Sequence, residues 1–72
     1  MRKNLVVCLS NTEYEVSLEV RKIYQLLNDD EAEALDMCRV IDESGEDYLY
    51  PKKLFAQIEL PSIIEKQILL AA

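Results

Sequence analysis

Four carboxylates crowd one short segment: Asp42, Glu43, Glu46 and Asp47 surround Ser44 and Gly45. Oxygen ligands of this kind hold hard divalent cations, so a metal site is the first chemistry to weigh. Their spacing lacks the every-second-residue ligand series of a calcium loop, and a solvated turn accounts for them without a cation. A general acid and base pair would need one desolvated carboxylate, which an exposed turn does not supply. Cys8 and Cys38 stand at no ligand-like spacing in a chain without histidine, so zinc would require at least two carboxylates as well. The missing histidine also leaves both thiols and Ser10, Ser17, Ser44 and Ser62 without a base to activate them as nucleophiles. Gly45 is the only glycine, too few for a phosphate-cradling loop. The expectation is a chain with no catalytic residue, no metal and no cofactor.

Contact chemistry is better represented. Tyr48 and Tyr50 fall on one face of an extended segment and Leu49 on the other, so either the tyrosines or the leucine must leave the core. Tyr48 and Tyr50 are the better surface candidates, since tyrosine favours interfaces and acidic neighbours complete a contact patch. In the alternative arrangement both rings cover the edge of a barrel and only their hydroxyls reach water. With Leu54, these residues and Asp42, Glu43, Glu46 and Asp47 form the candidate partner-binding set.

Composition limits what else the chain can be. With 72 residues it has room for one core, a single domain spanning residues 1–72. Half the residues are apolar, enough for a packed fold despite a net charge of −6. That balance opposes nucleic acid and anionic lipid, because binding phosphate rests on Lys and Arg. The basic residues Arg2-Lys3, Arg21-Lys22, Arg39, Lys52-Lys53 and Lys66 are scattered rather than gathered in a strip. The apolar run Leu5-Val6-Val7-Cys8-Leu9 is too short for a signal peptide or a membrane span. A cytoplasmic location with reduced core thiols is expected.

The elements that must position these side chains are short. Leu5 to Leu9 predicts a buried strand, closed by a turn at Asn11-Thr12. Val16, Leu18 and Val20 alternate with polar residues as in a second strand, and the phase breaks before Ile23, Leu26 and Leu27, which predicts a turn or bulge near Arg21-Lys22. Residues 28–36 are acidic and predict a loop with one helical turn, with Asn28 or Asp29 as N-cap. Cys38 to Ile41 and Tyr48 to Tyr50 predict a β-hairpin whose turn needs Gly45 at positive φ. Pro51 ends that strand, and a last extended piece runs through Phe55 to Leu60. Ser62 and Glu65 have capping-box spacing, which predicts a C-terminal helix over residues 62–72 with Ile63, Ile64, Ile68 and Ala71 or Leu69 on one side.

Two resemblances arise from these segments. Glu15-Val16-Ser17-Leu18-Glu19-Val20-Arg21-Lys22-Ile23-Tyr24-Gln25-Leu26-Leu27 resembles the diverging turn and following strand of an SH3 domain, and residues 39–58 resemble its distal hairpin, Pro-containing helical turn and final strand. The fold this implies is mainly β: a small SH3-like barrel of about five short strands with a C-terminal α-helix. The aromatic row of a proline-peptide groove is not matched. The chain has no tryptophan, Leu54 stands where a tyrosine is expected, Pro51 is matched, and Tyr14 is the candidate for the early tyrosine. The whole chain also resembles a family of small uncharacterised bacterial proteins centred on Val40-Ile41-Asp42-Glu43-Ser44-Gly45-Glu46-Asp47-Tyr48-Leu49-Tyr50-Pro51. That resemblance implies a free-standing bacterial polypeptide and no particular activity.

The expected function is a non-catalytic protein-interaction or accessory module whose Tyr48, Tyr50, Leu54 and acidic neighbours meet a basic or apolar surface. The alternative is a small regulatory ligand or metal sensor built on the acidic hairpin. The tail from Ile63 carries more apolar side chains than one face of a short helix needs, so it either closes the open end of the barrel or docks on another protein or on a second copy, giving a homodimer.

Overall fold

Val6 and Cys8 alternate with Leu5 and Val7 in the first strand, β1 (Leu5–Cys8), and both of its faces carry apolar side chains. A strand of this kind belongs in the middle of a sheet, and β1 is hydrogen-bonded on both sides. The computed structural model describes residues 5–70. It contains β2 (Ile23–Leu27), a short helix α1 (Asp30–Ala34), β3 (Met37–Ile41), β4 (Asp47–Pro51), a 3-10 turn at Lys52–Leu54, β5 (Phe55–Ile58) and the helix α2 (Ser62–Leu70). Ala71 and Ala72, placed in the terminal helix from the sequence, lie outside the described residues.

The protein is mainly β. Its five strands form one antiparallel sheet in the order β4-β3-β2-β1-β5, so the last strand returns to pair with the first. β4 and β5 end the sheet and do not pair with each other, so the sheet is open where a barrel of hydrogen bonds was expected. The core lies on the face of Val6, Cys8, Tyr24, Cys38, Val40, Tyr50 and Phe55, joined by Leu18 and Leu54, with Tyr14 and Leu26 packed against it.

The alternation of Val16, Leu18 and Val20 does not make a strand. Residues 9–22 form a series of turns in which Leu18 is fully buried while Val16 is 95% exposed. Local hydrogen bonds decide this: the Tyr14 carbonyl accepts from the amides of Ser17 and Leu18, and Asn11 Nδ2 donates to the Leu18 carbonyl at 3.0 Å. A bend near Arg21 is present, with Arg21 at φ 70° and its amide donating to the Cys8 carbonyl. Asp29 caps α1 by accepting from the Ala32 amide at 3.0 Å.

The hairpin joins β3 to β4 through residues 42–46, with Gly45 at φ 84° and its amide donating to the Asp42 carbonyl. Pro51, which lacks an amide hydrogen, sits at the end of β4 on the sheet edge, the position a strand tolerates. At α2 the expected cap moves by one residue. Ser62 is the first helical residue, and the preceding Pro61 supplies the carbonyl that accepts from Ile64 and Glu65. The helix buries no side chain: Ile68 and Leu69 are half-buried, whereas Ile63 and Ile64 are exposed. It does not plug the sheet but leans on the face opposite the core, where Ile68 lies across a groove from Ile23 and Ile41.

Candidate functional site

The hairpin tip is tied down by the side chains that gave it its chemical interest. Asp42 is buried: its Oδ1 accepts from the Ser44 amide at 2.9 Å and the Ser44 hydroxyl at 2.5 Å, and its Oδ2 accepts from the Tyr50 hydroxyl at 2.5 Å. Burial pushes the Asp42 carboxyl up, but the hydrogen bonds from Ser44 and Tyr50 outweigh it and hold the group below its ordinary value. The Tyr50 phenol is pushed up to about 12, by burial first and then by its bond to Asp42.

Glu43 makes the second anchor. Its Oε2 accepts from the Tyr24 hydroxyl at 2.5 Å and lies 2.6 Å from Lys22 Nζ, and the Glu43 amide donates to the Ser17 carbonyl at 3.1 Å. The bond from Lys22, then that from Tyr24, lowers the Glu43 carboxyl. Burial, and then the Glu43 bond, raises the Tyr24 phenol. Tyr24 also accepts from the Glu19 amide at 2.7 Å, so one hydroxyl joins β2, the loop of residues 9–22 and the hairpin.

These contacts divide the candidate residues. Tyr50, Leu54 and Asp42 are buried, which for Tyr50 is contrary to the surface placement expected for the tyrosine pair. The tyrosine face of β4 is its core face. Tyr50 is 3% exposed because Tyr14 and Phe55 pack edge-on against it, with ring centroids 5.0 Å and 6.1 Å away. Tyr48, two residues nearer the tip, lies past this cover and is 50% exposed. Leu49 on the other face is also exposed, so both faces of the strand offer an apolar contact. Glu46 and Asp47 remain exposed, and Asp47 pairs with Arg39 at 3.0 Å. Arg39 also holds Asp29, at 2.8 Å.

The carboxylates are thus taken up singly rather than together. Among the described residues, no three Asp, Glu or Cys side chains converge as metal ligands. Cys8 and Cys38 are free and buried; burial raises both thiols, that of Cys38 to about 11, so neither is a thiolate near neutral pH. Tyr14, Pro51 and Leu54 do come together, along a groove of about 350 Å³ shared with Ser10, Thr12, Glu13 and Lys53. Tyr14 is its one aromatic ring.

Comparison with family models, curated proteins and solved structures returns no match. Among the described residues, no helix is long and apolar enough to cross a membrane. Nothing in the sequence singles out Tyr24 as a site residue. The Tyr24 contact bridges 19 residues and leaves no local signal, whereas Leu49 was marked by its alternation with the two tyrosines.

Proposed function

We propose that this chain is a non-catalytic protein-interaction module of the cytoplasm that adds an extended, basic segment of a partner protein to the outer edge of β4. One observation carries the proposal: β4 ends the sheet, with a strand neighbour on one side only, and exposes Tyr48 on one face and Leu49 on the other. An open edge supplies backbone donors and acceptors, and flanking side chains supply selectivity. Pro51 confines the pairing to residues 47–50, since it has no amide hydrogen to donate. Exposed Glu46 and Asp47 and the net charge of −6 favour a basic strand over an acidic one. Two free, buried cysteines fit a reducing compartment. A cation sensor on the same hairpin would first have to displace the donors that Ser44, Tyr50, Tyr24 and Lys22 already give to Asp42 and Glu43.

The test is titration of the isotope-labelled protein with a peptide of alternating lysine and valine, followed by amide shifts and hydrogen exchange. Shifts and new protection should concentrate at residues 47–50, a glutamate–valine peptide should leave them unmoved, and Tyr48→Ser should weaken binding by about tenfold. Absent or dispersed shifts with the basic peptide would refute strand addition.

A further inference from the structure

We infer that the segment added to β4 runs antiparallel to it in one fixed register, with a lysine or arginine opposite Tyr48 and aliphatic residues opposite Asp47 and Leu49. This rests on strand addition at the β4 edge and names the segment that the edge selects. The register follows from hydrogen bonds at the two ends of the β3–β4 ladder. The Asp42 amide donates to the Glu46 carbonyl at 3.1 Å, and the Lys52 amide to the Asp36 carbonyl at 2.9 Å, so residues 42 and 46, and 36 and 52, are bonded pairs flanking the register Met37↔Pro51 to Ile41↔Asp47. Bonded and non-bonded pairs alternate in an antiparallel ladder, which makes Val40 with Tyr48 and Cys38 with Tyr50 the bonded pairs inside it. Asp47 and Leu49 therefore turn both backbone groups outward, and Pro51, next in that series, turns out only a carbonyl. The other edge cannot repeat this pattern, because the Phe55 amide of β5 is taken by the Lys52 carbonyl.

The two faces of the added strand meet different chemistry. A residue opposite Tyr48 stands in a non-bonded pair, where side chains approach most closely. Beside it are the half-exposed Tyr48 ring and Glu46, whose carboxylate lies 3.4 Å from the Tyr48 hydroxyl. Among the described residues no cation pairs with Glu46. Glu46 first, then Asp42 and Asp47, raises the Tyr48 phenol, so this side of the edge is negative. An ammonium or guanidinium group there meets the ring and the Glu46 carboxylate together.

On the opposite face the one carboxylate is already answered. Asp47 is paired with Arg39 at 3.0 Å, and Arg39 lies directly across from Leu49 in the register. A second cation on that face would meet the Arg39 charge, whereas an aliphatic side chain extends the exposed Leu49 surface. The antiparallel sense continues a sheet that is antiparallel at every pairing and is the more stable arrangement per residue.

The test uses the full chain and a capped peptide of sequence threonine, valine, lysine, valine, threonine, read by amide shifts. In the inferred register both valines turn their amides to β4 and the lysine turns its amide away. N-methylation of the lysine nitrogen should change affinity by less than about threefold, and N-methylation of either valine should weaken it at least about tenfold. A nitroxide on the peptide amino terminus should broaden Lys52 rather than Gly45. Glu46→Lys should weaken binding about fivefold, and a glutamate in place of the peptide lysine should restore it. With shifts still confined to residues 47–50, a reversed or equal response to the methyl groups overturns the register, and broadening at Gly45 overturns the antiparallel sense. Indifference to Glu46→Lys overturns the cation's place. A parent peptide that shifts nothing removes strand addition itself, and this inference with it.

Discussion

The Tyr50 hydroxyl is one of three donors that keep a charged Asp42 in a place where water scarcely reaches it. A buried carboxylate that loses a donor retains its charge and its desolvation, so Tyr50→Phe should destabilise the fold by about 1.5–3 kcal/mol in denaturant unfolding. The companion Tyr48→Phe removes only an exposed contact to Glu46 at 3.4 Å and should leave the midpoint nearly unchanged. A comparable loss from both would mean that the Asp42 anchor contributes nothing special. Gly45 makes a different demand. A Cβ placed there meets no atom within 4 Å, so space is not the constraint, and the positive φ is. Gly45→Val should cost about 1–2 kcal/mol, and Gly45→Asn distinctly less because asparagine tolerates the left-handed region. Equal thermal shifts for the two would remove backbone strain as the reason for glycine.

Among the elements, the loop of residues 9–22 does the work that sequence alternation assigned to a strand. It sends Leu18 into the core, receives the hairpin through the Ser17 carbonyl and orients Tyr14 against Tyr50. Leu18→Ala should therefore cost about 2–5 kcal/mol, as a fully buried leucine does. Val16→Ala, equivalent to it in a strand, should stay within about 0.5 kcal/mol. Similar losses at the two positions would restore the strand. α1 was legible because Asp29 is an N-cap type followed by helix formers, and the β3–β4 hairpin because the single glycine punctuates two apolar runs.

The molecule as a whole links its stability to pH at both ends. The Asp42 and Glu43 carboxyls are lower in the fold than in the unfolded chain, where such groups titrate near ~4. The unfolded chain then takes up more protons, so the stability they contribute is complete above about pH 5 and is lost as pH falls through their folded values. Tyr24 and Tyr50 act in the opposite sense. Their phenols are raised, so their contribution is complete below about pH 9 and declines above the unfolded value of ~10, for Tyr50 until about 12. Unfolding midpoints should trace a plateau between these limits with both shoulders, and Asp42→Asn together with Glu43→Gln should flatten the acid one. An acid shoulder unchanged in that variant would place the linkage elsewhere. By itself the sequence determined what local patterns encode: a mainly β chain, the hairpin and its glycine, the capped acidic turn, the terminal helix, and the lack of a histidine base. Those properties depend on neighbours a few residues apart, where periodicity and turn chemistry act. Tertiary structure alone decided which face of β4 turns inward, that Asp42 and Glu43 hold tyrosines, that Val16 is free while Leu18 is buried, and that α2 rests on the sheet without entering the core. Most of these depend on a partner far along the chain, Tyr24 with Glu43 or Tyr14 with Tyr50, and residue order carries no local mark of which distant side chain will cover which face, while the contrast of Val16 with Leu18 rests on local turn bonds that alternation does not encode.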